Sequence, residues 1–347
     1  MLRIHFTSED LRRVTVADGV DPLWEILLSL HLLQERDTCV EFDQWRRRIN
    51  STRSASLRLL AQLAPPWGYS PDFLTPGRGD AEFEVLLDRL LSTPRRRLGA
   101  DIEALAETGP VSTWVRAIGS GETGALRRLE AAFTTYHRLA LAPHRDAFRA
   151  QAEADRTRRA QMLLAGGVDR LLGSLHPRVK WEPPVLRIPV YMHQDVHLRG
   201  RGIVLVPSFF CRIQPITLLD AKRPPVLVYP LAPRLGLFRG AALARESTSP
   251  TVALLGGTRA AVLEAAAAGG STRELARRVG VADPVVSRHC GVLRAAGLLE
   301  TRRCGGSVWH GPTGLGIALL NGELPDGRTA PLPAEAKAGP EFPARPQ

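Results

Sequence analysis

Cysteine, lysine and long apolar runs are what this sequence has least of. Cys39, Cys211, Cys290 and Cys304 are the only cysteines in 347 residues. They are scattered, with no CxxC pair and no secretory start before them, which argues against a zinc ribbon or a disulfide framework and predicts reduced thiols. The N-terminus, Met1-Leu2-Arg3-Ile4-His5, lacks a basic region followed by an apolar stretch and a small-residue cleavage site. No run of about 18 apolar residues occurs, because even Leu23 to Leu33 is interrupted by Glu25, Ser29 and His31. These absences predict a cytoplasmic protein without a membrane span. Lys180, Lys222 and Lys337 are the only lysines among 46 basic residues, so the preference for arginine is a general bias and carries no recognition information.

The charge itself is informative. A formal net charge of +11 favours a polyanionic partner, nucleic acid or an acidic membrane surface. The length exceeds what one core usually organises, so two domains are expected, with room for a small third. Hydrophobic residues make up 44%, enough for each to bury a core.

Periodicity predicts an α+β chain that is mainly helical. Residues 2–6 and 12–17 alternate and branch at Cβ like short strands, after which Asp21-Pro22 reads as an N-cap with proline in the first turn of a helix from Pro22 to about Glu35. Helical patterns follow at about 41–49, 55–64, 80–92 and 97–107, separated by clusters such as Pro65-Pro66-Trp67-Gly68. From Ala125 to about Leu175 two or three helices are expected, with Pro143 opening a new one and Arg156 to Arg159 on a solvated face. Short β-branched runs then appear at Leu186–Tyr191, Ile203–Val206, Ile216–Leu219 and Val226–Tyr229, cut by prolines. They predict a small β-rich subdomain with edge strands at about 185–231. Residues 232–250 read as a connector, and 321–347 as a disordered tail rich in Pro, Ala, Gly and charge.

The segment 248–320 has the order of a winged helix-turn-helix. Thr258 is placed to cap a helix with Ala261, Val262, Leu263 and Ala265, which ends at Gly269-Gly270. Ser271-Thr272-Arg273-Glu274 is a capping box opening a second helix, Thr272 to Val279, with Leu275, Ala276 and Val279 turned inward. Gly280 stands where the turn needs a positive φ. Asp283 is placed to cap and Pro284 to begin a third helix, in which Val286, Cys290 and Leu293 face inward and Val285, Ser287, Arg288 and Gly291 face out. Small residues with one arginine suit entry into a major groove about 12 Å wide. Arg302-Arg303-Cys304-Gly305-Gly306-Ser307 then reads as the basic tip of a hairpin returning through Val308-Trp309-His310.

Here the residues carry a resemblance. Gly257 to Leu263, Glu274-Leu275-Ala276, Val285 to His289, Val292 to Leu298 and Pro312 to Gly316 resemble, in order and spacing, the arsenic-repressor (ArsR) type of winged-helix regulator, over about 250–320. Leu198 to Ser208 and Pro225 to Pro230, with the front of the chain, are similar to a long subgroup of such regulators that carries an N-terminal region of unassigned function. The sequence departs at Cys290, where the family usually has leucine. It also lacks the cysteine pair that metal-sensing members place in the helix here occupied by Leu275 to Val279. The resemblance implies a sequence-specific transcriptional regulator that binds double-stranded DNA as a homodimer. The candidate contacts are Ser271, Thr272, Arg273, Pro284, Val285, Ser287, Arg288, His289, Arg302, Arg303 and Ser307. Arg288 is expected to read a base, His289 to pack between helices, and Arg302 and Arg303 to hold phosphate or the minor groove.

Residues 1–240 are expected to sense a small-molecule effector, bind a protein partner, dimerise, or combine these roles. The rival is an enzyme or small-molecule-binding protein with an appended DNA-binding domain. No Ser-His-Asp, nucleophile-elbow or HExxH arrangement stands out, so neither catalysis nor a cofactor is called for. Gly119-Ser120-Gly121-Glu122-Thr123-Gly124 matches a dinucleotide-binding turn but lacks the following strand and acid, and reads as a capped helix start. Gly200-Arg201-Gly202 reads as a tight turn. His193, Asp195 and His197 would share one face of a strand and form a candidate metal set, although no fourth ligand can be named.

Overall fold

The structure is a computed structural model that describes residues 1–35, 42–52, 54–66, 68–189, 193–220, 223–231, 250–304 and 307–321, with backbone alone at 43, 44, 250, 268, 303, 304, 307 and 321. Its class is α+β, with 57% helix and 15% strand in open sheets. The chain divides into one unit of Met1–Arg36 with Trp45–Pro233 and another of Asp37–Gln44 with Arg234–Gln347. Among the described residues no helix is long and apolar enough to cross a membrane. Cys39, Tyr191, Lys222, the 232–249 part of the connector, the Gly305-Gly306 tip and the tail beyond Asn321 lie outside the described residues.

The first unit begins with β1 (Leu2–His5), α1 (Ser8–Arg12) and β2 (Val14–Val16). The sequence reading missed α1, yet its signal is present. Thr7 and Asp10 form a reciprocal capping box across the helix start, and Asp10 also accepts from the Gly202 N–H at 2.9 Å. α2 (Pro22–Gln34) starts as expected, with Asp21 Oδ1 accepting from the N–H groups of Leu23 and Trp24. α3 (Asp43–Ser51), α4 (Ala55–Leu60), α5 (Phe83–Leu91) and α6 (Arg95–Thr108) occupy the predicted stretches. α7 (Thr113–Gly119) was not expected; Ser112 caps it by accepting from the Val115 N–H.

α8 (Thr123–Ala140) begins within the GxGxxG segment, but no side chain caps it. The turn there rests instead on Gly121, whose φ of +69° a side chain rarely adopts. α9 (Arg145–Gly173) follows and breaks its helical backbone at Gly166 and Gly167. Its Arg156 and Arg158 are exposed, whereas Arg159 is buried, which corrects the expected solvated face. Four residues after Asp155, Arg159 is turned onto that carboxylate, over the Tyr229 ring at 4.9 Å and onto the Ser174 carbonyl at 2.6 Å. Tyr229 Oη donates to the same Asp155 at 2.6 Å.

The β-rich stretch is not closed on itself, as a local subdomain would be. β3 (Lys180–Glu182), β4 (Val185–Ile188) and β5 (Gln194–His197) join β1 in a sheet of order β3-β4-β1-β5. β6 (Ile203–Ser208) and β7 (Val226–Pro230) join β2 in a parallel sheet of order β2-β6-β7. β6 is therefore central rather than an edge, and is buried along nearly its whole length, as parallel strands usually are. Ile216–Leu219 makes one bridge, Ile216 to Val228, in place of a strand. Side chains take part of its backbone: Gln194 donates to the Leu218 carbonyl, and Asp72 accepts from the N–H groups of Leu219 and of Asp220 just beyond it, while the segment's own Thr217 Oγ1 donates to the Val226 carbonyl.

Burial alternates on β1, with Leu2 and Ile4 inside. Arg3 and His5 face outward, and both bind Asp195 of β5 at 2.7 Å, while His5 stacks on His197 at 4.2 Å. The proposed His193-Asp195-His197 set is thus organised as an ion-paired strand face, with His193 exposed beside it. Among the described residues no cluster of three or more His, Cys, Asp or Glu suits a metal. Arg199, Gly200 and Gly202 all take positive φ, so Gly200-Arg201-Gly202 is the expected turn.

A buried acid joins helix to sheet. Glu25 of α2 is 1% exposed and accepts from the N–H groups of Phe209 and Phe210, which leave the end of β6. Burial pushes its pKa up to about 8 against the pull of those donors and of the Ser208 side chain.

Candidate nucleic-acid interface

The second unit contains α10 (Pro250–Leu255), α11 (Gly257–Ala265), β8 (Gly270–Ser271), α12 (Thr272–Val279), α13 (Asp283–Ala295), β9 (Leu299–Cys304), β10 (Ser307–Pro312) and α14 (Gly314–Asn321). Val262, Leu263 and Ala266 of the first helical stretch pack with Leu275, Ala276, Val286, Cys290 and Leu293. Thr258 does not cap α11; the cap position is two residues earlier, at Gly256 with its φ of +80°, and the helix starts at Gly257. This start turns Ala260, Val262 and Leu263 inward and leaves Ala261 and Ala265 half-buried, which corrects the predicted face.

α12 is fixed at both ends by its own sequence. Ser271 Oγ accepts from the Glu274 N–H at 3.3 Å while Glu274 accepts from the Ser271 N–H at 2.8 Å. The Ser271 N–H and hydroxyl hold the Glu274 carboxyl below the usual range. At the other end Gly280 adopts the left-handed conformation with φ +75°. Arg278 donates to the carbonyls of Gly269 and Ala265 at 2.7 and 3.1 Å, closing the connection from the preceding helix.

α13 starts on Asp283 behind an extended Ala282, so Asp283 is already helical and its side chain caps nothing. There it still places negative charge in the first turn, where the helix dipole favours it. Pro284, second in the helix, is exposed. Val286, Cys290 and Leu293 are buried, and burial pushes the Cys290 thiol above its ordinary pKa. Ser287 and Arg288 are exposed; Val285, His289 and Gly291 are half-buried.

β9 and β10 pair antiparallel from Leu299–Pro312 to Cys304–Ser307. Arg302 is exposed and lies 3.2 Å from Glu300. Arg303 and Ser307 are on the two strands, with side chains outside the described residues. β10 also pairs with β8, Trp309 opposite Ser271, which ties the hairpin to the start of α12. Gly269 permits this approach: a Cβ there would lie 2.7 Å from Trp309 Nε1, and its φ is +63°. Trp309 itself is 43% exposed.

The candidate residues divide by role. Arg273 of α12, Ser287 and Arg288 of α13, and Arg302 of β9 offer exposed polar surface, although Arg302 pairs with Glu300 at 3.2 Å and Arg273 lies 3.9 Å from Asp283. Ser271 serves its helix cap, and Thr272 Oγ1 is 3.0 Å from His310 Nε2. His310 Nδ1 lies 3.0 Å from Thr301 Oγ1, so this ring joins α12 to both strands. Burial, and then the charge of Arg294, push its pKa below the usual histidine value, consistent with a neutral ring donating at one nitrogen and accepting at the other. Sequence reasoning missed His310 as a positioning residue, since its two partners come from two other elements, α12 and β9. It also missed exposed Arg277, whose signal was legible: four residues after Arg273 it shares a helix face. Comparison of the chain with family models, with curated proteins and with solved structures gives no match, so these residues alone carry the functional reading.

Proposed function

We propose that residues 257–321 form a winged helix-turn-helix of ArsR type and that the protein is a cytoplasmic, sequence-specific transcriptional regulator of double-stranded DNA. The observation that supports this most is the α12-Gly280-α13 pair, packed through Leu275, Val286 and Cys290, with Ser287 and Arg288 exposed on its second helix. In this reading α13 enters the major groove and Arg288 donates to guanine O6 and N7. Arg273 and Arg302 contact phosphate, and the β9-β10 hairpin is the wing. One such helix reads only a few base pairs, so the active form is a homodimer on half-sites about 34 to 36 Å apart.

Fluorescence anisotropy of the full chain on fragments of its own promoter region tests the proposal. Affinity should fall by at least about tenfold between roughly 50 and 200 mM salt, because phosphate contacts release counterions. No binding, or binding indifferent to salt, overturns it.

A further inference from the structure

A cavity of about 490 Å³ opens on the first unit, where the front half of α9 faces the turn before α2, the start of α5 and the end of α8. Phe83, Leu141 and Phe148 form its apolar floor, each 4% exposed, and the His137 ring stacks on Phe83 at 3.9 Å. Arg145, Arg149, Glu153 and Arg156 recur at spacings of three and four residues, so one face of α9 supplies much of the wall. Glu25 also lines the cavity, but its two carboxylate oxygens accept from the Phe209 and Phe210 N–H groups and it is almost fully buried, so it gives a ligand no charge to meet.

Most of the charges around the cavity are matched in pairs. Arg145 pairs with Glu82 at 3.0 Å, Arg156 with Asp18 at 2.7 Å, and Asp80 with Arg89 at 3.0 Å. Three are left over. Arg149, Glu153 one turn further along α9, and Glu84 of α5 are exposed, and their side chains make no ion pair or hydrogen bond among the described residues. His137 does not alter this balance: burial holds its pKa below the ordinary histidine value against the pull of Glu84, which leaves the ring neutral at pH 7. The unmatched set is two negative charges and one positive, over an apolar floor.

We propose that this cavity binds a basic α-amino acid, its carboxylate on Arg149 and its two cationic groups on Glu84 and Glu153. A molecule of this class carries the complementary charges, and its aliphatic chain suits the floor between them. A neutral amino acid would leave one glutamate unmatched, a diamine would leave Arg149 unmatched, and an acidic amino acid would oppose both glutamates. The volume falls within the roughly 300 to 1,000 Å³ of small-molecule sites. An effector role for the ligand rests on the DNA-binding proposal; occupancy of the cavity does not.

The test uses the full-length protein with L-lysine and L-arginine, with cadaverine and agmatine, which are the same molecules without the carboxylate, and with norleucine, which lacks the second cation. Calorimetry at pH 7 should show a basic amino acid binding once per chain, and the truncated probes at least about fivefold more weakly, the loss of one charge pair at the upper end of what exposed pairs give. Arg149→Gln should weaken lysine about fivefold and leave cadaverine unchanged, whereas Glu153→Gln should weaken both alike. Melting curves of the unliganded variants establish that each is folded, and the wild-type series stands even if a variant is not. Failure of both lysine and arginine to bind the wild-type protein overturns the site. Norleucine or cadaverine binding as tightly as lysine overturns the charge match, and lysine binding unaffected by Arg149→Gln overturns the role of that arginine. A second arm repeats the promoter titration with lysine present, against an equal concentration of sodium chloride. A DNA affinity shifted by lysine alone supports the effector role, and an unshifted one overturns it while leaving the site intact. Lysine binding without any DNA binding would leave the site standing and remove the regulatory reading.

Discussion

The two units use the same polar chemistry over very different lengths of chain. In the second, Ser271 and Glu274 close a cap over three residues, Arg278 reaches back nine to Gly269, and Thr313 caps α14 by accepting from the Gly316 N–H. In the first, Asp10 reaches Gly202 and Glu25 reaches Phe209, at separations of 192 and 184 residues. The first kind stabilises one helix at a time. The second kind holds a sheet to helices made long before it, so losing one of these contacts should weaken the whole unit.

Glu25→Leu should separate the units most strongly. It leaves the Phe209 and Phe210 N–H groups buried without an acceptor, at a cost of about 3 kcal/mol or more. Urea unfolding should show that loss in the transition of the first unit, with that of the second unmoved. A loss below about 1 kcal/mol would mean that the long-range contact is no more costly to lose than a cap.

The same acid gives a pH test. With its folded pKa near 8 and an ordinary value of 4.5, Glu25 contributes stability that is complete below about pH 4.5 and declines as pH rises, until it is gone above about 8. Glu25→Gln should remove this decline, read as the difference between the two proteins' stability profiles across that window. Parallel profiles would show that Glu25 is ionised in the folded protein.

Smaller effects are expected in the second unit, and of another kind. Arg288→Ala should cost about 1 to 3 kcal/mol on the specific site and little on random DNA, whereas Arg302→Ala should weaken both alike. Unchanged site preference in Arg288→Ala would remove its base-reading role. Ser271→Ala should lower stability by about 1 kcal/mol, detectable by thermal melting of the second unit.

Legibility followed the same division. Asp21-Pro22 announced α2 and Ser271 to Glu274 announced α12, because a cap is a local contract between neighbours. The positive φ at Gly280 and the β9-β10 pairing were legible for the same reason. Arg159 could not be placed from its neighbours, since the Tyr229 that draws it inward lies seventy residues on. Nor could Ile216–Leu219, whose β-branched pattern is real but whose backbone is held in part by the side chains of Gln194 and Asp72. At the proposed interface, the exposure of Ser287 and Arg288 was readable from helical spacing. The bridging of Thr272 and Thr301 by His310 was not.

β1 sits inside its sheet, with Leu2 opposite Ile188 on one side and Gln194 on the other. During synthesis the strand is therefore made early and waits for partners roughly 180 residues behind it. At ribosomal speeds of about 5 to 20 residues per second that wait lasts on the order of ten to forty seconds, with Leu2, Ile4 and the apolar side of α2 lacking their final cover. Contacts so distant also slow folding after release, because the loop must close before any of them repays its entropy. A cell making this chain must shield that surface in the interval, so its yield should depend on chaperone supply and translation rate more than on the equilibrium stability of the finished molecule.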